Sequence, residues 1–524
     1  MNSGMANTEY FRGTESPDTE MPARDVVDLF FETARAHAAR PAIRHNGSEL
    51  SYGELADAVR AAADELGDSP GIVGVLVTRG PGAIVRLLAA MAAGGCYCPV
   101  DAALPEQRKI AMAEALGLRR MVRARPDLPL PPGIEPWEPA SASGTAGTAQ
   151  QPVPAPDGAA YLLFTSGSTG SPKPVVTSRR AISAAVSSLT SVMRLTPRDR
   201  VLQFAALSWD TCFEEILPTL TVGGCLVIDD EAYTGSMNRF VRLLRSEAVT
   251  VVDLPTAMWH ELVLHLSEDE GALPDSVHTM VIGGEAVSPV RLAQWQNLAT
   301  RRIRLVNTYG CTETTLVTHA LDVSGPAATA ESCGDWRSTG KVPIGRPLAH
   351  VRSRLGPDGE LWIAGPSLAD GYLGLDAQTA ERFVPHDEDG RARRWFRTGD
   401  RVSRGADGVV VYEGRIDDEL KIRGVRVAPA EVEKRIAGHP AVAAAAVTGV
   451  TAHGRTALVG YVVGRDGPAG ATLAADVIAH VRAGLPEQMT PSRVFVVPHL
   501  VYTASGKVDR RGTHQQFYEP KSER

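Results

Sequence analysis

The chain has 524 residues, too many for one hydrophobic core, so at least two domains are expected. Its 44% hydrophobic and 22% charged residues are ordinary for a globular protein. A net charge of −7 with no long basic run excludes a dedicated nucleic-acid binder, and no apolar run reaches membrane-spanning length, so neither nucleic acid nor a membrane is an expected partner.

Residues 1–20 are polar and acidic and lack an apolar signal core, which predicts a disordered tail on a cytoplasmic protein. Residues 26–38 carry helical periodicity and precede a short strand at 41–44. A helix follows to about Leu66, with Ser51 as N-cap and Glu54 as its capping-box partner. An apolar strand at 71–77, a helix at 81–93 and a strand through Cys96-Tyr97-Cys98 continue an alternation that indicates an α/β protein with largely parallel sheets. The six cysteines (96, 98, 212, 225, 311 and 333) have neither zinc-knuckle spacing nor the look of a disulfide framework, and the 13 histidines contain no His-Glu-x-x-His pattern, so no structural metal is expected. Residues 125–157 are rich in Pro, Ala, Ser, Gly and Thr and read as a solvent loop, because the α/β rhythm resumes at Tyr161.

At Tyr161 an apolar strand runs into Thr165-Ser166-Gly167-Ser168-Thr169-Gly170-Ser171-Pro172-Lys173. Glycines give backbone freedom, hydroxyls stand beside exposed amides, and Lys173 adds charge, which suits a loop that wraps a polyphosphate. The spacing is not that of a nucleoside-triphosphatase loop, because Pro172 stands where the second glycine should be. A Gly/Ser linker would not normally follow an apolar strand directly and end in Pro-Lys. Near 414–418 a second boundary appears. Beyond it lie a strand or hairpin at 420–427, a helix at 429–437, strands at 441–447 and 456–463, and a helix at 473–483, enough for a small α+β domain.

The 161–173 stretch resembles the phosphate-binding signature of the adenylate-forming enzymes, which include acyl-CoA synthetases, luciferases and the adenylation domains of nonribosomal peptide synthetases. Further stretches match in the right order from Leu50 to about Arg511. The resemblance implies a large N-terminal multi-subdomain α/β core over 21–416 and a small mobile α+β C-terminal lid over 417–524. In Asn307-Thr-Tyr-Gly-Cys-Thr-Glu-Thr314 it implies that Tyr309 stacks on adenine, Thr312 touches the α-phosphate and Glu313 holds Mg²⁺, for which a hard oxygen ligand is apt. Cys311 departs from the family's usual proline or serine. The stretch at 359–372, ending in Gly371-Tyr372, matches as a structural element. In Trp395-Phe-Arg-Thr-Gly-Asp400, Asp400 would take both ribose hydroxyls. In 414–424, Arg415 would reach ribose or phosphate, Asp418 would be the hinge, and 421–424 would line a thiol channel. In Thr503-Ala-Ser-Gly-Lys-Val-Asp-Arg510, Lys507 would be the mobile point charge that stabilises the attack on the α-phosphate. Pro174 stands where the family usually has glycine and removes an N–H donor from the first signature.

The pair Trp209-Asp210 narrows the class. Amino-acid-activating members carry an aspartate here for the substrate's α-ammonium, and a buried carboxylate facing a pocket asks for a cation. By the same resemblance the side-chain pocket is lined by Asp210, Thr211, Glu214, Asp253, Val281, Gly283, Thr308, Leu316 and Val317, with Lys507 closing the set. Glu214 and Asp253 have no basic residue among these positions to neutralise them, which points to a long basic amino acid, lysine first and ornithine or another diamino acid next. The activity implied is ATP-dependent aminoacyl-AMP formation and transfer to the phosphopantetheine thiol of a separate carrier protein. Too few residues follow Lys507 for a fused carrier, so a free-standing enzyme is expected. The resemblance also leaves room for a small activator protein. An acyl- or aryl-CoA synthetase is the alternative, which Asp210 disfavours, and Lys507, Glu313 and Asp400 together disfavour an inactive nucleotide-binding relative.

Overall fold

A computed structural model describes residues 10–12, 24–137, 153–166, 172–268, 272–328, 336–388, 390–405, 408–417, 419–423, 425–452, 455–465, 471–502 and 508–518. Gly167, Ser168, Thr169, Gly170, Cys333, Asp418, Gly424 and Lys507 lie outside them. Two compact units form: one from residues 1–102, 116–163 and 174–416, the other from 103–115, 164–173 and 417–524. The small unit therefore includes two segments from the first half of the chain. Inside it, Arg108 pairs with Glu431 at 2.5 Å and the Ser166 hydroxyl donates to the Arg426 carbonyl at 2.7 Å.

The large unit holds three sheets. In the nine-stranded sheet the inner strands Pro41–His45, Cys225–Ile228, Arg200–Leu202, Val251–Pro255, Thr279–Gly283 and Arg304–Gly310 are all parallel. Alternation along them sorts two faces. Val252, Leu254, Met280, Ile282 and Leu305 pack with Trp259 and Trp295 from the helices Thr256–Glu268 and Pro289–Asn297. The opposite-facing Val251, Val281 and Val306 share a core with Phe213 and Ile216 of the helix Thr211–Val222. Truncating either buried tryptophan would cost about 3–5 kcal/mol. The seven-stranded sheet is parallel through Ala159–Thr165, Cys96–Asp101, Ile72–Val77 and Arg120–Arg123. Ile72–Val77 is buried at every residue, as an unbroken Ile-Val-Gly-Val-Leu-Val run requires.

The expectation of largely parallel sheets fails for the third sheet. Its strands Arg352–Leu355, Glu360–Ala364, Arg391–Arg404, Phe383–Glu388 and Val410–Arg415 pair antiparallel throughout. Several of the links are short enough for hairpins, which parallel crossovers cannot use. The predicted disordered tail is corrected at Tyr10–Arg12, which pairs with Arg352–Leu355 as an edge strand; three β-prone backbone positions find an open ladder. The Ser51–Glu54 capping box forms, with the Glu54 carboxylate taking the Ser51 N–H at 2.8 Å. In the loop predicted at 125–157, Glu135–Pro136 adds a short strand to the sheet edge.

The small unit's sheet joins Val442–Ala452, Arg455–Gly464 and Arg493–Val496, with helices Pro429–Ala437 and Ala471–Arg482 sharing its core. The segment at 420–427 is a hairpin of Leu420–Ile422 and Val425–Val427. Among the described residues, no helix is long and apolar enough to cross a membrane.

Candidate active site

Thr165 ends the strand Ala159–Thr165, and Lys173 opens the strand Lys173–Ser178 on the far side of the phosphate-loop candidate. Pro174 is the second residue of that strand, where the lost donor is tolerated. Its carbonyl still accepts from the Leu373 N–H at 2.8 Å.

Register builds the ribose candidate. Strand pairing sets Asp400 directly opposite Arg415. Arg415 Nη1 reaches Asp400 Oδ1 and the Thr398 carbonyl, each at 3.0 Å. The other carboxylate oxygen accepts from the Tyr309 hydroxyl at 2.5 Å. Asp400, 2% exposed, is thus held from both sides. Burial and the Asp400 charge push the Tyr309 phenol well above its ordinary value, so it stays a donor. The ring that the sequence assigns to adenine stacking lies edge-on to His319 at 5.9 Å. Glu360, which sequence reasoning passed over, fixes the turn before Asp400 by accepting from the Gly399 N–H at 2.9 Å.

After Tyr309 the chain bends sharply. A Cβ on Gly310 would sit 1.8 Å from the Leu316 carbonyl oxygen, so only glycine fits. Thr315 and Leu316 both have positive φ, 56° and 66°, a strained pair of non-glycine residues. This bend presents Thr312 and Glu313 as a single helical turn, Thr312–Thr314. The Tyr372 hydroxyl donates to Glu313 Oε1 at 2.9 Å. Tyr372 therefore has a positioning role that its motif, read as purely structural, did not reveal. One carboxylate suits Mg²⁺, which binds through one or two protein oxygens and substrate phosphates.

Asp210 stands at the N-cap of the helix Thr211–Val222 without capping it. Burial raises its pKa, opposed by a hydrogen bond with the Thr312 side chain, while the Glu313 charge raises it further. Glu214, one turn on, is 7% exposed, and Asp253 on the facing strand is 4% exposed. Burial pushes Glu214 well above the usual carboxylate range, helped by the charges of Asp253, Asp210 and Glu215. Burial likewise pushes Asp253 up to about 7. The neighbouring Glu215 differs: its carboxylate accepts from the N–H groups of Phe204 and Ala205 at 2.9 Å and from Gln203 at 3.0 Å. Asp253 Oδ2 is buried with no hydrogen-bond partner. Neither Glu214 nor Asp253 caps a helix or meets an arginine among the described residues.

Register also aligns the remaining pocket candidates. Asp253 lies beside Val281, and one step further along the same face Gly283 lies beside Thr308. Val281, Leu316 and Val317 are buried in one apolar cluster, and Thr211 opens the helix that carries Glu214. Gly283 has a tighter reason than an open pocket. A Cβ there would meet Thr308 Oγ1 at 2.5 Å, and that hydroxyl is already bonded to the Ile282 carbonyl at 3.0 Å.

In the small unit, Lys421 lies on the strand Leu420–Ile422. Arg510 grips Glu433 through Nε and Nη2, both at 2.7 Å.

Two family descriptions match: "AMP-binding enzyme" over residues 30–373 and "AMP-binding enzyme C-terminal domain" over 431–507. The isonitrile lipopeptide synthase of Streptomyces coeruleorubidus is 39% identical over 93% of this chain and 33% of that protein, so the chain spans about a third of that relative's length. Novobiocin biosynthesis protein H of Streptomyces niveus is 34% identical over 97% of this chain and 85% of that protein. An artificially fused adenylation–PCP di-domain, NpsA-ThdA from Klebsiella oxytoca, superposes with a TM-score of 0.75 at 25% identity, covering 91% of this chain and 94% of that one.

Proposed function

The chain belongs to the AMP-binding enzyme family, and on that premise we propose that it activates a basic amino acid as its adenylate and passes it to a carrier-protein thiol. The substrate carboxylate oxygen attacks the α-phosphorus of ATP, the bond to the bridging oxygen breaks, and pyrophosphate leaves. A pantetheine thiolate then attacks the acyl carbon and AMP departs. In this reading Lys507 would carry the positive charge that the first step needs, and residues 421–424 would line the thiol's approach. Glu313, its carboxylate fixed by the Tyr372 hydroxyl, would hold the metal, which would neutralise phosphate charge.

The observation that carries the amino-acid reading is Asp210, a carboxylate at the start of the helix Thr211–Val222 that makes no side-chain cap and that burial pushes towards its neutral form against the Thr312 side chain and the Thr211 N–H. A buried carboxylate so placed is relieved by an ammonium group. The basic side chain follows from Glu214 and Asp253, two buried carboxylates with no cation facing them among the described residues.

The test is ATP–pyrophosphate exchange over a panel of lysine, ornithine, norleucine and fatty and aryl acids. Lysine or ornithine should dominate. Equal exchange with norleucine overturns the basic side chain, and exchange with fatty or aryl acids alone overturns amino-acid activation. Loss of exchange in Lys507→Ala, with ATP binding retained, checks the lysine's role.

A further inference from the structure

We infer that Glu214 and Asp253 act as one acceptor, which holds a proton when the pocket is empty and releases it to solvent when a side-chain ammonium enters. This rests on the basic-amino-acid reading above and extends it to how the site manages its own charge.

The geometry sets the problem. Glu214 projects from the helix Thr211–Val222 and Asp253 from the parallel strand Val251–Pro255. Both are buried, and the Asp253 charge acts on Glu214. The titratable groups around them are Asp210, Cys212 and Glu215 on the helix and Tyr161 on the neighbouring sheet. The thiol and phenol are pushed upward by burial and stay neutral. The strands Thr279–Gly283 and Arg304–Gly310 offer Val281, Gly283, Val306 and Thr308 on this face, none of them charged.

Two ionised carboxylates cannot share such a space without a counter-charge. Glu215 shows how the fold settles a buried carboxylate it keeps for itself, with two backbone amides and a glutamine. Among the described residues the Glu214–Asp253 pair receives no such donors, and Asp253 Oδ2 is buried without a partner. In the empty pocket the economical answer is one proton shared between them. An entering ammonium supplies the missing positive charge and up to three N–H donors, and the proton becomes redundant. The pair gives up its first proton near neutrality, where Asp253 is pushed up to about 7, and keeps the shared one beyond it, because burial and the Asp253 charge push Glu214 well above the usual carboxylate range. Binding above neutrality must therefore expel that proton.

The experiment uses isothermal calorimetry with two non-hydrolysable probes, the lysyl and norleucyl sulfamoyladenosines. Both carry the adenosine and the α-amine, so any linkage at Asp210 cancels between them. Titrations in buffers of different ionisation enthalpy count protons released. At about pH 8, above the Asp253 step, the lysyl probe should release close to one proton more than the norleucyl probe. Replacing both carboxylates, with Glu214→Gln and Asp253→Asn together, should abolish the excess. If the norleucyl probe binds as tightly as the lysyl probe, the basic-side-chain reading fails. If the lysyl probe binds tighter but the proton counts match at every pH, that reading stands and the shared proton is overturned.

Discussion

The hydroxyl of Tyr372 donates a hydrogen bond to Glu313 Oε1 at 2.9 Å, joining residues 59 positions apart in the sequence. A buried carboxylate that meets a metal needs its orientation fixed by a group that is not itself a ligand. Tyr372 sits on the two-residue strand Gly371–Tyr372, which pairs with Lys173–Ser178, so the strand leaving the phosphate loop also positions the metal-binding candidate.

Tyr372→Phe should therefore raise the Mg²⁺ concentration for half-maximal pyrophosphate exchange by about tenfold, the worth of about 1.5 kcal/mol for one bond to a charged group. Manganese binding to the enzyme with a non-hydrolysable ATP analogue, followed by electron paramagnetic resonance, should weaken in parallel. An unchanged metal dependence in a protein of normal melting temperature would show that the tyrosine only packs.

The Arg415–Asp400 pair makes a different prediction. Arg415 Nη1 donates to both Asp400 and the Thr398 carbonyl, at the end of a longer and more rigid side chain than lysine's. Arg415→Lys should raise the KM for ATP by about tenfold while leaving the KM for the amino acid within about twofold. Equal rises in both constants would mean the pair supports the whole unit rather than the nucleotide.

Gly310 tests the bend. The atom that a new Cβ would strike at 1.8 Å is backbone, and the residues behind it are already in left-handed conformations. Gly310→Ala should cost more than about 3 kcal/mol or prevent folding. Gly47 also has positive φ, 82°, but nothing lies within 4 Å of its would-be Cβ, so Gly47→Ala should cost only about 1 kcal/mol. Urea denaturation of the two variants gives the comparison, and similar losses would remove the steric explanation.

These residues also show what the sequence could and could not reveal. Ser51 and Glu54 were legible because a capping box is complete within four residues. The parallel strands were legible because burial on both faces writes an unbroken apolar run. The antiparallel third sheet was not, since Arg391–Arg404 carries six arginines and only its register shows Trp395 and Phe396 turned inward and Asp400 opposite Arg415. Asp210, Glu214 and Asp253 could be named from resemblance, but the contrast between Glu214 and its neighbour Glu215 could not. Adjacent glutamates look alike until the segment that follows the strand Arg200–Leu202 delivers the Phe204 and Ala205 amides to only one of them.

The same carboxylates should weaken the empty fold. A carboxyl pushed up to about 7 in the folded chain, from 3.8 when exposed, binds more protons folded than unfolded between those values. Stability must then fall as pH rises from about 4 to about 7, by about 4 kcal/mol if Asp253 acted alone. Asp253→Asn keeps the shape and removes the titration. The variant should melt above the parent at about pH 8, where the parent bears the full cost, and the gap should narrow towards about pH 4, where the parent carboxyl is neutral in both states. Adding the lysyl sulfamoyladenosine at about pH 8 should reverse the order, because an ammonium compensates the parent's carboxylates and finds only a neutral amide at 253 in the variant. Thermal melts of both proteins, with and without the probe, decide it. A variant less stable than the parent at about pH 8 without ligand would mean that Asp253 is already satisfied in the empty pocket.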